Sequence, residues 1–287
     1  MSSRENDKPR HSRSFWLQSV RRLVVKVGTS TLTRGTQTLD ASGVEDIVRQ
    51  ISDVRAQGVE VVLVSSGAIA VGLGRLGLAR RPTSIGGLQA AASVGQNLLM
   101  HSYESLFRAH DLPVGQVLVT AGDLADRRRY VNFGNALNSL FEFGVVPVVN
   151  ENDSVSVDEI RVGDNDTLAA HVANAVEADL LIVLTDTDGV FTADPHTFSD
   201  AARIPFVEGV SAEVTCIAEE RHATTRAPGL GTGRMVTKVR AAEIVTASGI
   251  PMVLAHGAEE GIIGRVLDGA DVGTFFAPAA PRSARRK

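Results

Sequence analysis

Short runs of apolar, largely β-branched residues recur along the chain at 22–28, 59–64, 114–119, 145–149, 180–184 and 250–254. Such short runs predict strands of a parallel sheet, and the most continuous of them read as covered on both faces. Between them the period changes. Val44, Ile47, Val48, Ile51 and Val54 repeat at helical spacing, with Asp40 or Ser42 placed to cap the start and Gly58 to stop the end. The same reading predicts helices over 88–108, 132–143, 167–176 and 235–248, the last closed by Gly249. Alternation of this kind predicts an α/β protein: a mostly parallel central sheet with helices on both faces, an α/β/α sandwich. Two stretches, 150–162 and 189–206, break the rhythm and read as hairpins or long loops. Both follow a strand directly, and the carboxyl ends of parallel strands are where such folds bind ligands.

No linker-like shift in composition and no internal repeat divides the chain. The expected organisation is a disordered extension over 1–20, one domain over 21–278 with two lobes sharing a sheet, and a flexible tail over 279–287. Composition narrows the function classes. A formal net charge of −4 argues against nucleic acid as the partner, which calls for a concentrated basic surface. Cys216 is the only cysteine, so an intrachain disulfide and a cysteine metal cage are both excluded. No apolar run approaches the roughly 18 residues of a membrane span, and the first twenty residues lack the apolar core of a secretory signal. The expected location is the cytoplasm.

Polar clusters sit where the strands end. Lys26 lies inside an apolar strand beside Gly28, a costly place for an ammonium without an anionic partner. Ser65-Ser66-Gly67-Ala68 turns from strand toward helix, and backbone N–H groups at a helix start hold anions. Asn150-Glu151-Asn152-Asp153 and, soon after, Gly163-Asp164-Asn165-Asp166-Thr167 are suited to holding Mg²⁺, binding an ammonium group, or orienting lysines. Thr185 and Asp186 follow the strand at 180–184, and a glycine-rich segment over 229–234 runs into a helix carrying Lys238 one turn inside. That segment is no Walker A sequence, since Gly-Lys-Ser/Thr occurs nowhere. Gly72-Leu-Gly-Arg-Leu-Gly77 matches the dinucleotide fingerprint formally but follows no strand, and reads as coincidence. Arg127-Arg128-Arg129 reads as a solvated loop face.

In this order the segments VVKVGTSTLT, LVSSGAIAVG, VVPVVNENDSV, EIRVGDNDTLAA, LLIVLTDTDGVFTADP and GLGTGRMVTK resemble the amino-acid kinase family, from about Arg22 to Pro278. The pairing of NEND with VGDND points within it to the branch that phosphorylates glutamate. The resemblance implies transfer of the γ-phosphoryl group of ATP, with Mg²⁺, to the γ-carboxylate of L-glutamate as the first step of proline biosynthesis. It implies Lys26, Lys238, Asp164 and Asp166 at the reaction centre, with Ser66, Asp153 and Asn165 on glutamate. It places ATP on Lys26, Thr185, Asp186, Thr232, Gly233, Arg234, Met235, Val236, Thr237 and Lys238, with no protein ligand assigned to the metal. It further implies a homo-oligomer, proline as a feedback inhibitor, and a short form without the C-terminal RNA-binding-like domain of many members. One position departs: the family's nucleotide loop reads Thr-Gly-Gly-Met, and Arg234 stands for the second glycine.

The chemistry agrees. A carboxylate acceptor, with a pKa of about 4.3, is already ionised at neutral pH and needs no general base, so the site must instead bring two anions together with cations and N–H donors. Two other readings stay open at this level. One is a sister kinase acting on N-acetylglutamate, aspartate, carbamate or UMP; the other is a non-catalytic regulatory protein on the same fold.

Overall fold

The structure is a computed structural model that describes residues 12–78, 80–156, 165–195, 197–210, 214–215, 218 and 235–278. The sheet has eight strands: β1 (Arg22–Val27), β2 (Glu60–Ser65), β3 (Val114–Val119), β4 (Val146–Glu151), β5 (Leu180–Thr185), β6 (Phe206–Glu208), β7 (Met252–His256) and β8 (Thr274–Ala277), in the spatial order β3-β4-β2-β1-β5-β7-β8-β6. From β3 through β7 every neighbouring pair is parallel; β8 runs antiparallel to β7, and β6 parallel to β8. The mostly parallel sheet expected from the apolar runs is present. The short strands β6, at the edge, and β8, beside it, lie where no strand is predicted.

The helices are α1 (Arg13–Leu17), α2 (Thr29–Thr33), α3 (Ala41–Ala56), α4 (Ala68–Arg75), α5 (Ile85–Arg108), α6 (Ala121–Ala125), α7 (Arg127–Glu142), α8 (Asn165–Ala175), α9 (Met235–Ala247) and α10 (Ile262–Leu267). Successive strand residues point to opposite faces, and the burial follows that period. Leu23, Val25 and Val27 of β1 join one core with Ile47 and Ile51 of α3, Tyr103 and Phe107 of α5, and Ile263 of α10. Val24 joins the other with Leu137 of α7, Ala169 and Val172 of α8, and Val245 of α9. Lys26 shares the parity of Val24, so it rises on the α8/α9 face. Ser65 shares the parity of Val61 and Leu63, so it faces α5.

Asp40 is the N-cap of α3, its side chain accepting from Gly43 N at 3.0 Å, which settles the choice between Asp40 and Ser42. Gly58 and Gly249 stop α3 and α9 at φ 84° and 77°. Three expectations change. Residues 12–20, assigned to a disordered extension, instead include α1. Leu17 is buried there, and the Arg13 guanidinium donates to Ala270 O at 2.7 Å and Pro205 O at 2.7 Å. Arg127, Arg128 and Arg129 are solvated as expected but form the first turn of α7, capped by Asp126 accepting from Arg129 N. The glycines of the 72–77 motif each have a local structural reason. A Cβ on Gly72 would stand 1.8 Å from Ala91 O and one on Gly74 2.0 Å from Gln37 O, while Gly77 has φ 65° beyond the end of α4. Gly95 mirrors Gly72 from α5, its Cβ direction meeting Ala68 O at 1.7 Å. Residues 1–11 and the tail over 279–287 lie outside the described residues.

Candidate active site

The carboxyl ends of β1, β2, β4 and β5 converge with the first turns of α8 and α9, and the buried polar residues gather there. Lys26 and Lys238 are both buried, and Asp166 is completely so. Lys26 Nζ stands 2.7 Å from Asp166 Oδ1, and Lys238 Nζ stands 3.2 Å from Oδ2. Thr237 Oγ1 donates to the same Oδ2 at 2.7 Å. Burial pulls the Lys26 ammonium below its ordinary pKa, with Asp166 working against it and Lys238 adding to it. Burial pushes the Asp166 carboxyl up, but the two lysines and Thr237 outweigh it and hold the group well below the usual carboxylate range. Two ammonium groups thus converge on one carboxylate, with Asp186 a further negative influence on Lys26. Gly28 keeps the approach open: a Cβ there would stand 3.6 Å from Lys26 Nζ and 3.4 Å from Leu184 O.

A second group lies toward β4. Asn150 is buried at the end of that strand, and its Oδ1 accepts from Glu151 N and from Asn165 Nδ2, each at 2.8 Å. Asn165 Nδ2 also reaches Ser65 O and Ser66 Oγ at 2.9 Å. Its own Oδ1 is buried without a partner among the described residues, so what Asn165 offers a ligand is an acceptor. The Ser66 hydroxyl, having accepted from Asn165, keeps its hydrogen to donate. Asp153 follows in the loop after β4, largely buried, its carboxyl pushed up to about 6 by burial with Arg81 opposing the shift. Arg81 is lowered by burial and held up by Asp153.

A third region holds Thr185 and Asp186, which line a cavity of about 490 Å³ with Ser30, Thr31, His256 and Gly257. That size falls in the range of small-molecule pockets. The Thr185 hydroxyl donates to Asp186 Oδ1 at 3.1 Å. Met235 and Val236 enter α9 partly buried against the core.

The structure therefore gathers Lys26, Asp166, Thr237 and Lys238 at one point, Ser66 and Asn165 beside it, and Thr185 with Asp186 at the cavity. Asp164, Thr232, Gly233 and Arg234 lie outside the described residues. Asn150, Gln96 and Tyr103 carry parts of the network that the motifs do not single out. Tyr103 OH and Ser65 Oγ lie 2.9 Å apart, and Gln96 Oε1 accepts from Asn150 Nδ2 at 2.8 Å. Among the described residues no group of three or more His, Cys, Asp or Glu is placed to hold a metal, and no helix is long and apolar enough to cross a membrane.

The sequence model described as the amino acid kinase family matches residues 21–256. A glutamate 5-kinase of Moorella thermoacetica is 50% identical over 94% of this chain and 70% of its own length. A glutamate 5-kinase of Clostridium acetobutylicum is 47% identical over 93% of this chain and 98% of its own. Among solved structures, a carbamate kinase from Giardia lamblia bound to AMP-PNP has a TM-score of 0.62 at 15% identity, covering 90% of this chain and 99% of that one. A UMP kinase from Bacillus anthracis has a TM-score of 0.58 at 15% identity, covering 91% and 97%. At that identity the two structures share the fold alone.

Proposed function

Because the chain belongs to the amino acid kinase family, we propose that it is an ATP-dependent kinase that phosphorylates the γ-carboxylate of L-glutamate to L-glutamyl 5-phosphate, the entry step of proline biosynthesis. The observation that carries this reading is the near-full-length identity to glutamate 5-kinases. The site chemistry supports it independently. Both reactants are anions, and Lys26 with Lys238 supplies positive charge in a buried place, where a charge acts more strongly than in water. Asp166 aligns the lysines and does not act as a base, since its carboxyl is held ionised and the acceptor needs no deprotonation. Thr185 and Asp186 hold the nucleotide at their cavity. Mg²⁺ bound with the nucleotide phosphates would supply charge neutralisation on the transferring group, held by the phosphates rather than by a carboxylate cluster among the described residues.

The acceptor lies between the lysines and β4. Its γ-carboxylate faces Lys26, and its α-ammonium faces Asp153 and the unpaired Oδ1 of Asn165. A half-buried carboxylate at that end favours an acceptor with a free amino group over an N-acetylated one. Within the same reading Asp164 and the 232–234 loop complete the reaction centre and nucleotide site, the protein works in the cytoplasm as a homo-oligomer, and proline, which shares the ammonium and carboxylate of glutamate, competes at the acceptor end. The test is ADP release over a panel of acceptors with hydroxylamine present to trap an acyl phosphate. Glutamate should give the hydroxamate; a higher rate with N-acetylglutamate or UMP sinks the substrate assignment.

A further inference from the structure

The orientation of one carboxamide in the acceptor site follows from a fixed point. A backbone N–H is unambiguous, and Glu151 N donates to Asn150, so the atom it meets is the carbonyl oxygen Oδ1. Asn150 Nδ2 must then face the other way, where it meets Gln96 at 2.8 Å, and the atom of Gln96 that receives it is Oε1. This leaves Gln96 Nε2, with two N–H groups, turned away from Asn150 and without a partner among the described residues. Gln96 is half-buried, next to Gly95 in the tightest part of the α4/α5 contact, so its backbone is held against Ala68 and thus near Ser66.

Gln96 also belongs to a stripe. Gln89 Nε2 donates to Ser156 O at 3.1 Å, Ser93 Oγ meets Ser154 Oγ at 2.8 Å, and Tyr103 meets Ser65. Positions 89, 93, 96 and 103 fall on one helical face, so a single side of α5 braces β2, β4 and the loop after β4. All four side chains contact the protein, but the contact of Gln96 uses its acceptor and leaves both N–H groups of its amide to offer.

We propose that Gln96 is a specificity-determining residue: its Oε1 fixes Asn150, and through it Asn165, while its Nε2 donates to the α-carboxylate of the acceptor. This rests on the glutamate reading above. The end of the substrate is set by distance. Asn150 lies on β4, two strands from Lys26 on β1, and neighbouring strands are spaced by about 4.8 Å, so the backbones of Asn150 and Lys26 stand roughly 10 Å apart across the sheet, with Gln96 held at the Asn150 end. Of the two carboxylates of glutamate, the α one is at that end, beside the ammonium assigned to Asp153.

Gln96→Glu separates the two roles, because the introduced carboxylate still accepts from Asn150 Nδ2 but offers no N–H to the substrate. The probe is isoglutamine, the α-amide of glutamate, compared with glutamate in the same coupled assay. Q96E should raise the glutamate KM at least tenfold, leave the ATP KM within twofold, and raise the isoglutamine-to-glutamate ratio of kcat/KM at least tenfold over the parent. Should Q96E not fold, Q96A carries the test, with a rise in that ratio of threefold or more. An unchanged ratio in the folded variant overturns the proposal whatever the KM values do. A parent chain without glutamate-dependent turnover overturns the functional reading and this inference together, whereas an active parent with an unchanged ratio overturns this inference alone.

Discussion

Lys26 and Lys238 hold opposite oxygens of one buried carboxylate, Asp166, although they come from a central strand and a distant helix. Removing the carboxylate while keeping both ammonium groups should therefore harm the fold as well as the chemistry. Breaking a buried ion pair by deleting one partner costs about 3–5 kcal/mol. Asp166→Asn is expected to lose stability of that order in urea unfolding at pH 7. Because the Asp166 pKa is depressed on folding, its contribution is present above the unfolded value of about 3.9 and is lost as pH falls further toward the folded one. The gap between parent and D166N should accordingly narrow below pH 4. A constant gap would show that the carboxylate matters by shape alone.

Lys26→Ala and Lys238→Ala each leave Asp166 with the other lysine and Thr237, so they should disturb turnover more than folding. A loss of about 10²–10³ in kcat is expected for each, the range seen when one donor to a transition-state oxyanion is removed. Near-normal kcat in either variant would remove that lysine from the reaction centre.

Asp153 sets a pH dependence. Its carboxyl is pushed up to about 6 by burial, and an ammonium partner must be ionised. The free-enzyme profile of kcat/KM for glutamate should fall as pH drops through about 6, with ATP binding little affected. Asp153→Asn should raise the glutamate KM and abolish that inflection. Arg81→Ala removes the one charge that lowers the carboxyl and should move the inflection upward. A loss of ATP affinity in D153N would place the residue at the nucleotide.

Gly95→Ala tests the α4/α5 contact. A methyl group there would meet Ala68 O at 1.7 Å, backbone that cannot turn aside as a side chain can. Overpacking of this kind costs typically about 1–3 kcal/mol, or a fall in Tm of several degrees at this size. Calorimetry should show the loss, and because Ser66 lies in the turn that leads into α4 and Gln96 is on α5, the glutamate KM should rise with it. A neutral result would mean that the helices separate freely.

The sheet core was legible because β1, β2, β4 and β5 are almost entirely apolar. The β8-β6 end of the sheet was not: β6 and β8 have three and four residues and lack length enough for a period to appear. Lys26 and Asp166 were legible as charges in apolar surroundings or dense clusters. Asn150 belongs to one of those clusters, but its role there is not legible, since nothing local distinguishes a strand-end amide that holds another amide from one that holds a ligand. Gln96 and Tyr103 gave a weaker signal, polar positions recurring at helical spacing along 88–108, which has meaning only once β2 and β4 are known to lie opposite.

Arg13 bonds to carbonyls at 205 and 270, the second separated from it by 257 residues. On a ribosome adding about 5–20 residues per second, the helix it begins waits roughly 13–50 s for its seat to be made. β7 is made only near the end of that interval, and until β8 joins it its outer edge is open, the kind of place where one nascent chain pairs with another. β8, the most C-terminal of the described strands, is thus the one that ends the hazard, and α1 can dock only once the segment beside it has been made.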